Sequence, residues 1–147
     1  MEEFYITKEE YKLGLFVFEQ TLAMLAGFFP QTDIKVIFIP SPLSSYHLAS
    51  QKVSYRGYME FENLEEVAVI KRRHEELCET IRNISLARKM SFLNATKGLR
   101  KVASQGFIHG PINWDHLNKR GHKALSTDIA QVFLQLAGGA RTDNCIY

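Results

Sequence analysis

Residues 33–40, "DIKVIFIP", constrain the fold more than any other stretch, because after Lys35 the run is β-branched or aromatic up to its closing proline. A half-exposed strand alternates apolar with polar residues, so an unbroken run predicts a parallel strand covered on both faces. Pro40 and Pro42 end it, since proline cannot donate to a ladder. Covering both faces requires helices, and the flanking sequence carries their pattern.

Upstream, "TKEE" at residues 7–10 is a capping box, in which Thr7 accepts from the amide of Glu10 and the Glu10 side chain reaches back to the Thr7 amide. Tyr11, Leu15, Phe18, Leu22 and Leu25 then recur at helical spacing until Pro30. Leu13, Phe16, Val17, Met24 and Phe28 make the other side apolar as well, which predicts a helix covered on both sides. Residues 41–61 show no sustained period and read as irregular, with room for a short extended piece. From Leu64 to about Ala87, a stripe of Val67, Ile70, His74, Leu77, Ile81 and Ile84 opposes Glu65, Lys71, Arg72, Glu75, Glu79 and Arg82, the pattern of a surface helix. "KMSFLNAT" predicts a second strand and "KGLRKVASQG" a short helix closed by Gly106. A last helix is expected over about 118–137, with Leu125, Ile129, Val132, Phe133 and Leu136 facing the core. Residues 138–147 are expected to form a flexible tail.

This order of helices and strands predicts one domain over residues 1–147 of the α/β class. The expected architecture is a partial flavodoxin-like three-layer α/β/α fold whose parallel strands are joined by right-handed crossovers. Sheets of that kind generally have about five strands, so two imply an incomplete sheet. The chain then reads as the C-terminal part of a larger domain, or as a domain that completes itself with a partner. The doubly apolar first helix is the expected contact for an N-terminal partner or a homodimer.

The formal charge is +2 with both signs interspersed. That field is too weak to argue for nucleic acid or an anionic membrane. The acidic start and the interruption of the 13–29 apolar segment by Glu19 and Gln20 argue against a signal peptide and a membrane span. As written, the chain reads as cytoplasmic, although a longer parent could be exported. Cys78 and Cys145 fit no disulfide framework or zinc motif and are expected to be free thiols.

Residues 109–130, "HGPINWDHLNKRGHKALSTDIA", concentrate the chemistry. In open parallel sheets, functional loops lie beyond the carboxyl ends of the strands, and this loop follows the last strand–helix unit. A histidine there is a reasonable general base near neutral pH.

"INWDHLNKRGHKALSTDIA" resembles the last block of the SGNH (GDSL-like) hydrolases, in which an Asp lies three residues before the catalytic His and a polar turn, a Gly and a final helix follow. "FYITKEEYKLGL", "VIFIPSPLSSY" and "FLNATKGLRKVASQGFIHGPINWDHLN" are similar in order and spacing to the C-terminal half of larger members, so the likeness spans most of the chain. It implies serine acyl-ester hydrolysis, with an O-acetylated carbohydrate as one substrate class, and no cofactor or metal. His116 matches the catalytic His that relays the proton between a serine nucleophile and the leaving alcohol. Asn113 stands where the family keeps the orienting Asp, a departure that in Ser-His-Asp proteases lowers turnover by about four orders of magnitude. Asp115 is the alternative orienter if the turn bends its carboxylate back to the ring. The family's "GDS"-like nucleophile block and "GxND" segment are absent from the sequence. Without them a lone His supplies little rate enhancement.

Other readings compete with these. Ser41, Ser44 and Ser45 follow the strand, but the segment lacks a nucleophile elbow, and hydroxyls bonded to local backbone are the favoured reading. His109, His116 and His122 are seven and six residues apart, which fits no compact metal motif. His74 falls on an apolar stripe and reads as a hydrogen-bonded, partly buried residue, and His122 as exposed. His116 could instead pin its loop together with Trp114 and Asn118, which would cap the last helix. Trp114 and Leu117 are expected to anchor the loop to the core, and Gly121 to permit close approach of helix and loop. Asn94 replaces an acidic residue of the resemblance, with no role assigned from sequence. The alternative to an esterase portion is a non-catalytic α/β module that dimerises or binds a partner.

Overall fold

A computed structural model of the chain describes residues 7–54, 64–110, 114–135 and Cys145. Within it, α1 spans Lys8–Phe28, β1 Lys35–Phe38, α2 Pro42–Ser45, β2 Lys52–Ser54, β3 Leu64–Glu66, α3 Val67–Ala87, β4 Ser91–Asn94, α4 Thr96–Ala103 and α5 Lys119–Gln135.

The capping box forms as read: Thr7 accepts from the Glu10 amide, and the Glu10 carboxylate accepts from the Thr7 amide at 2.7 Å. The Thr7 amide and the Thr7 hydroxyl both donate to the Glu10 carboxylate and hold its pKa below the usual range. α3 begins at Val67, because Leu64–Glu66 pair antiparallel with Lys52–Ser54. Neither three-residue strand has room to display an alternation: β2 is the short extended piece within 41–61, and β3 occupies the start of the segment expected to be helical from Leu64.

β1 and β4 are parallel neighbours, in register from Lys35 opposite Ser91 to Phe38 opposite Asn94. The Ala95 amide continues the ladder to the Phe38 carbonyl. Successive side chains of a strand point to opposite faces, and β1 obeys this rule. Val36 and Phe38 pack with Phe92, Ile81 and Cys78, whereas Ile37 packs with Leu99, Ile108 and Ala124. The sheet therefore lies between α3 on one face and α4 with α5 on the other, a partial α/β/α arrangement of two parallel strands. The run in β1 is only partly covered, with no residue of Lys35–Phe38 fully buried and Ile39 exposed. Among the described residues it pairs on one side alone, with β4, and it is less covered than the strand buried on both faces that its composition suggested.

α1 rests on α3, and Glu19 pairs with Arg88 at 3.0 Å. Leu22 is its one buried residue. Leu13, Phe16, Val17, Met24 and Phe28 are exposed, so the face expected to be covered is open among the described residues. Phe133, expected in the core, is exposed on α5, with the Lys35 ammonium over its ring.

The cysteines correct their reading as free thiols. Cys78 and Cys145 form a disulfide with Cα atoms 5.7 Å apart, within normal bridging range. The charges around Cys78 belong to the other sides of α3. Its own side carries the helix's buried residues Val67, Ile70, His74, Cys78 and Ser85. Cys145 is buried against Phe92, so the expected flexible tail is anchored at that position. Among the described residues, no helix is long and apolar enough to cross a membrane.

Candidate functional site

Two segments meet beyond the carboxyl end of β1. The first is Ser41–Tyr46, where Ser41 caps α2 by accepting from the Ser44 amide. The Ser41 hydroxyl donates to Ser44 Oγ, and the Ser45 hydroxyl donates to the Ser41 carbonyl. Ser44 and Ser45 are buried, so these hydroxyls serve the local turn. Arg100 of α4 ties the segment down through Nε to the Ser44 carbonyl at 2.8 Å.

The second is the loop from Phe107 to Asn118, and Tyr46 joins the two. Its hydroxyl accepts from the Ile108 and His109 amides at 3.0 and 3.1 Å and lies 3.0 Å from His109 Nδ1. A phenol oxygen has two lone pairs and one proton. Both lone pairs are taken by the amides, so the proton is donated to Nδ1 and the neutral imidazole carries its own proton on Nε2. Burial keeps the His109 pKa below its ordinary value, and the Asp115 charge partly offsets this.

Asn118 closes the loop from the other end. Its Nδ2 donates to the Phe107 and His109 carbonyls, and its Oδ1 accepts from the Arg120 and Gly121 amides at the start of α5. Both orphan amides and both loop carbonyls are thus satisfied by one side chain. The His109–Leu117 bridge and the bond from the Gly110 amide to the His116 carbonyl complete the frame. Gly121 is required: a Cβ there would overlap the Ile108 carbonyl oxygen and lie 2.8 Å from Leu117 Cδ2. Gly110 supplies the turn with φ +67°, a region side chains rarely adopt. Leu117 packs on the Ala95, Leu99, Ile108 and Ala124 cluster, so it anchors the loop as expected.

Trp114 does not anchor it in the expected way. It is 47% exposed, lying almost parallel to the Tyr46 ring with centroids 5.6 Å apart. His116 and Asp115 are exposed beside it. Among the described residues, no hydrogen bond is formed by the His116 ring; its backbone alone serves the fold. Asp115, considered as an orienter of His116, acts electrostatically on His109. Asn113, the other expected orienter, lies outside the described residues. His122 is exposed, as read.

A second polar cluster sits inside, at the carboxyl end of β4. His74 is buried, with Nε2 3.3 Å from Thr96 Oγ1 and its ring edge-on to Phe38. Burial first, and the Arg100 charge second, push its pKa down to about 4 against a smaller opposing effect of Glu75. Asn94, left without a role by the sequence, accepts from the Thr96 amide through Oδ1 and so starts α4. Sequence reasoning did not find the Tyr46–His109 pair either. Tyr46 lies in an aperiodic stretch, and a contact 63 residues apart leaves no periodic signal.

Fold and site together define a partial α/β/α layer with an exposed Trp-Asp-His loop at the carboxyl end of its sheet. No protein-family model, curated protein or solved structure matches the chain.

Proposed function

We propose that the chain is the C-terminal portion of an SGNH-type hydrolase of acyl esters, with O-acetylated carbohydrate as one substrate class. His116 is its general base, Asn113 or Asp115 its orienter, and the nucleophile comes from a block absent from this sequence. The observation that carries this reading is the division of labour in the loop. Leu117, Asn118 and Gly121 are used by the fold, whereas the His116 imidazole is exposed and uncommitted on a framed loop beyond a parallel strand. Structural histidines are usually hydrogen-bonded inside, as His74 and His109 are. The Cys78–Cys145 disulfide favours an oxidising compartment over the cytoplasm.

The test is hydrolysis of a chromogenic acetyl ester by the chain alone and with an added N-terminal SGNH half. The expected result is near-background turnover alone and turnover with the added half that His116→Ala abolishes. Absence of activity in the mixture, or activity insensitive to His116→Ala, refutes the reading.

A second reading has its own observation. The exposed Leu13, Phe16, Val17, Met24 and Phe28 side of α1 is an apolar patch of the kind that marks protein contacts, supporting a non-catalytic module that dimerises or binds a partner. A chain that remains monomeric in size-exclusion chromatography, and binds no N-terminal half, counts against it.

A further inference from the structure

We propose that Trp114 and Phe107 form a binding platform for a neutral sugar ring. The two are 47% and 69% exposed, and Phe107 stands nearly upright to both rings of the Tyr46–Trp114 stack, 6.3 and 6.0 Å from their centroids, so it flanks the edge of that stack beside the exposed part of the indole. The platform is held before any ligand arrives. One side of the indole is stacked on Tyr46, whose hydroxyl is fixed by two backbone amides, and Trp114 Cε3 lies over Gly110, 3.5 Å from where a Cβ would stand. A ring already fixed loses little rotamer freedom on binding.

The chemistry favours a saccharide. The axial C–H groups of a pyranose carry slight positive charge and match the negative face of an aromatic ring. Asp115, next in the chain and exposed, offers a carboxylate to accept from ring hydroxyls. A nucleobase would stack equally well, but its phosphates would meet that carboxylate, and the chain's net charge of +2 gives little compensation. An extended lipid chain needs a concave apolar groove, whereas one indole with an upright ring at its edge makes a narrow surface beside a charge. The platform is a ligand site whether or not His116 is catalytic, and would seat the carbohydrate portion of an O-acetyl ester if it is.

Trp114 is the only tryptophan in the sequence, so its emission reports on the site alone. The probes are the unacetylated neutral oligosaccharides cellohexaose and mannohexaose, and N-acetylated chitohexaose, with a deoxythymidine hexanucleotide as the competing class. The expected result is a saturable change in Trp114 emission with at least one oligosaccharide and none with the oligonucleotide. By calorimetry, Trp114→Ala should weaken binding at least tenfold and Trp114→Tyr should retain part of it. Circular dichroism should show that both variants remain folded. His122→Ala, at an exposed histidine of α5, should bind as the parent does, and because the titration needs no turnover its outcome is read separately from the esterase reading. No saturation with any of the three oligosaccharides, tighter binding of the oligonucleotide, or undiminished binding by a folded Trp114→Ala chain overturns the proposal.

Discussion

The loop with its flanking helices and the first helix both expose large apolar side chains, yet they do so on opposite structural terms. Around the described residues 107–110 and 114–121, the exposed rings stand on a built frame: Tyr46 and Asn118 bind the Phe107–His109 backbone, and Leu99, Ile108 and Ala124 fill the space beneath. Along α1 the apolar residues continue round the helix, and only Leu22 is buried. The first pattern is a surface shaped by its own interior. The second is an apolar face that nothing among the described residues covers. Exposure therefore carries different meanings in the two places, and the distinction can be tested by asking what each contributes to stability.

The largest effect is expected at the disulfide, which ties α3 to the end of the chain. Closing a loop of 67 residues constrains the unfolded chain enough for about 4 kcal/mol of stability. Cys145→Ser should lower the denaturation free energy by roughly that amount, measured by urea unfolding; an unchanged midpoint would show that the bridge does not join the two regions in solution.

The next effect lies at the junction between them, in His74. Its folded pKa of about 4 is below the ordinary 6.5, so the unfolded chain binds the proton more readily. Stability is then complete above about pH 6.5 and falls as pH drops towards about 4, by about 3 kcal/mol across that window. His74→Gln removes the titration, and the difference between parent and variant isolates it from the carboxylates that titrate in both. Parallel pH profiles of the two unfolding free energies would contradict the burial of His74.

Gly121→Ala tests the finished side directly. The added methyl meets the Ile108 carbonyl and Leu117, and overpacking at such a contact costs roughly 2 kcal/mol. The smallest effect is expected on the open side. Met24→Ser with Phe28→Ser should change monomer stability by no more than about 0.5 kcal/mol each, since neither side chain is buried. A larger loss that depends on protein concentration would show that this face is already covered by a second copy.

Much of this contrast was legible in the sequence, for reasons of period and chemistry. The Thr7–Glu10 box, the α1, α3 and α5 patterns and the two strands rest on local rules that need no knowledge of the fold. The same holds for the requirement at Gly121 and the exposure of His122. What escaped were pairings between distant segments. Cys78 and Cys145 meet against Phe92 of β4 although 67 residues apart, and Tyr46 reaches His109 across 63 residues. Trp114 shows a subtler limit, because size indicates that a ring will be packed against something but not which of its faces will be. One face has Tyr46, and 47% of the residue remains exposed. For His116, the sequence indicated a place on the loop, and its catalytic role is a proposal. Its orienting partner remains a proposal, because Asn113 lies outside the described residues and Asp115 acts on His109.

The central claim is that the framed loop presents the His116 imidazole to a nucleophile supplied from elsewhere. The most direct measurement is kcat/KM for acetyl-ester hydrolysis by the chain reconstituted with an N-terminal SGNH half, comparing His116→Ala with His122→Ala. Loss of a general base typically lowers the rate by a factor of about a hundred to ten thousand. His116→Ala should fall in that range while His122→Ala stays within about twofold of the parent. Equal rates for the two variants would contradict the claim.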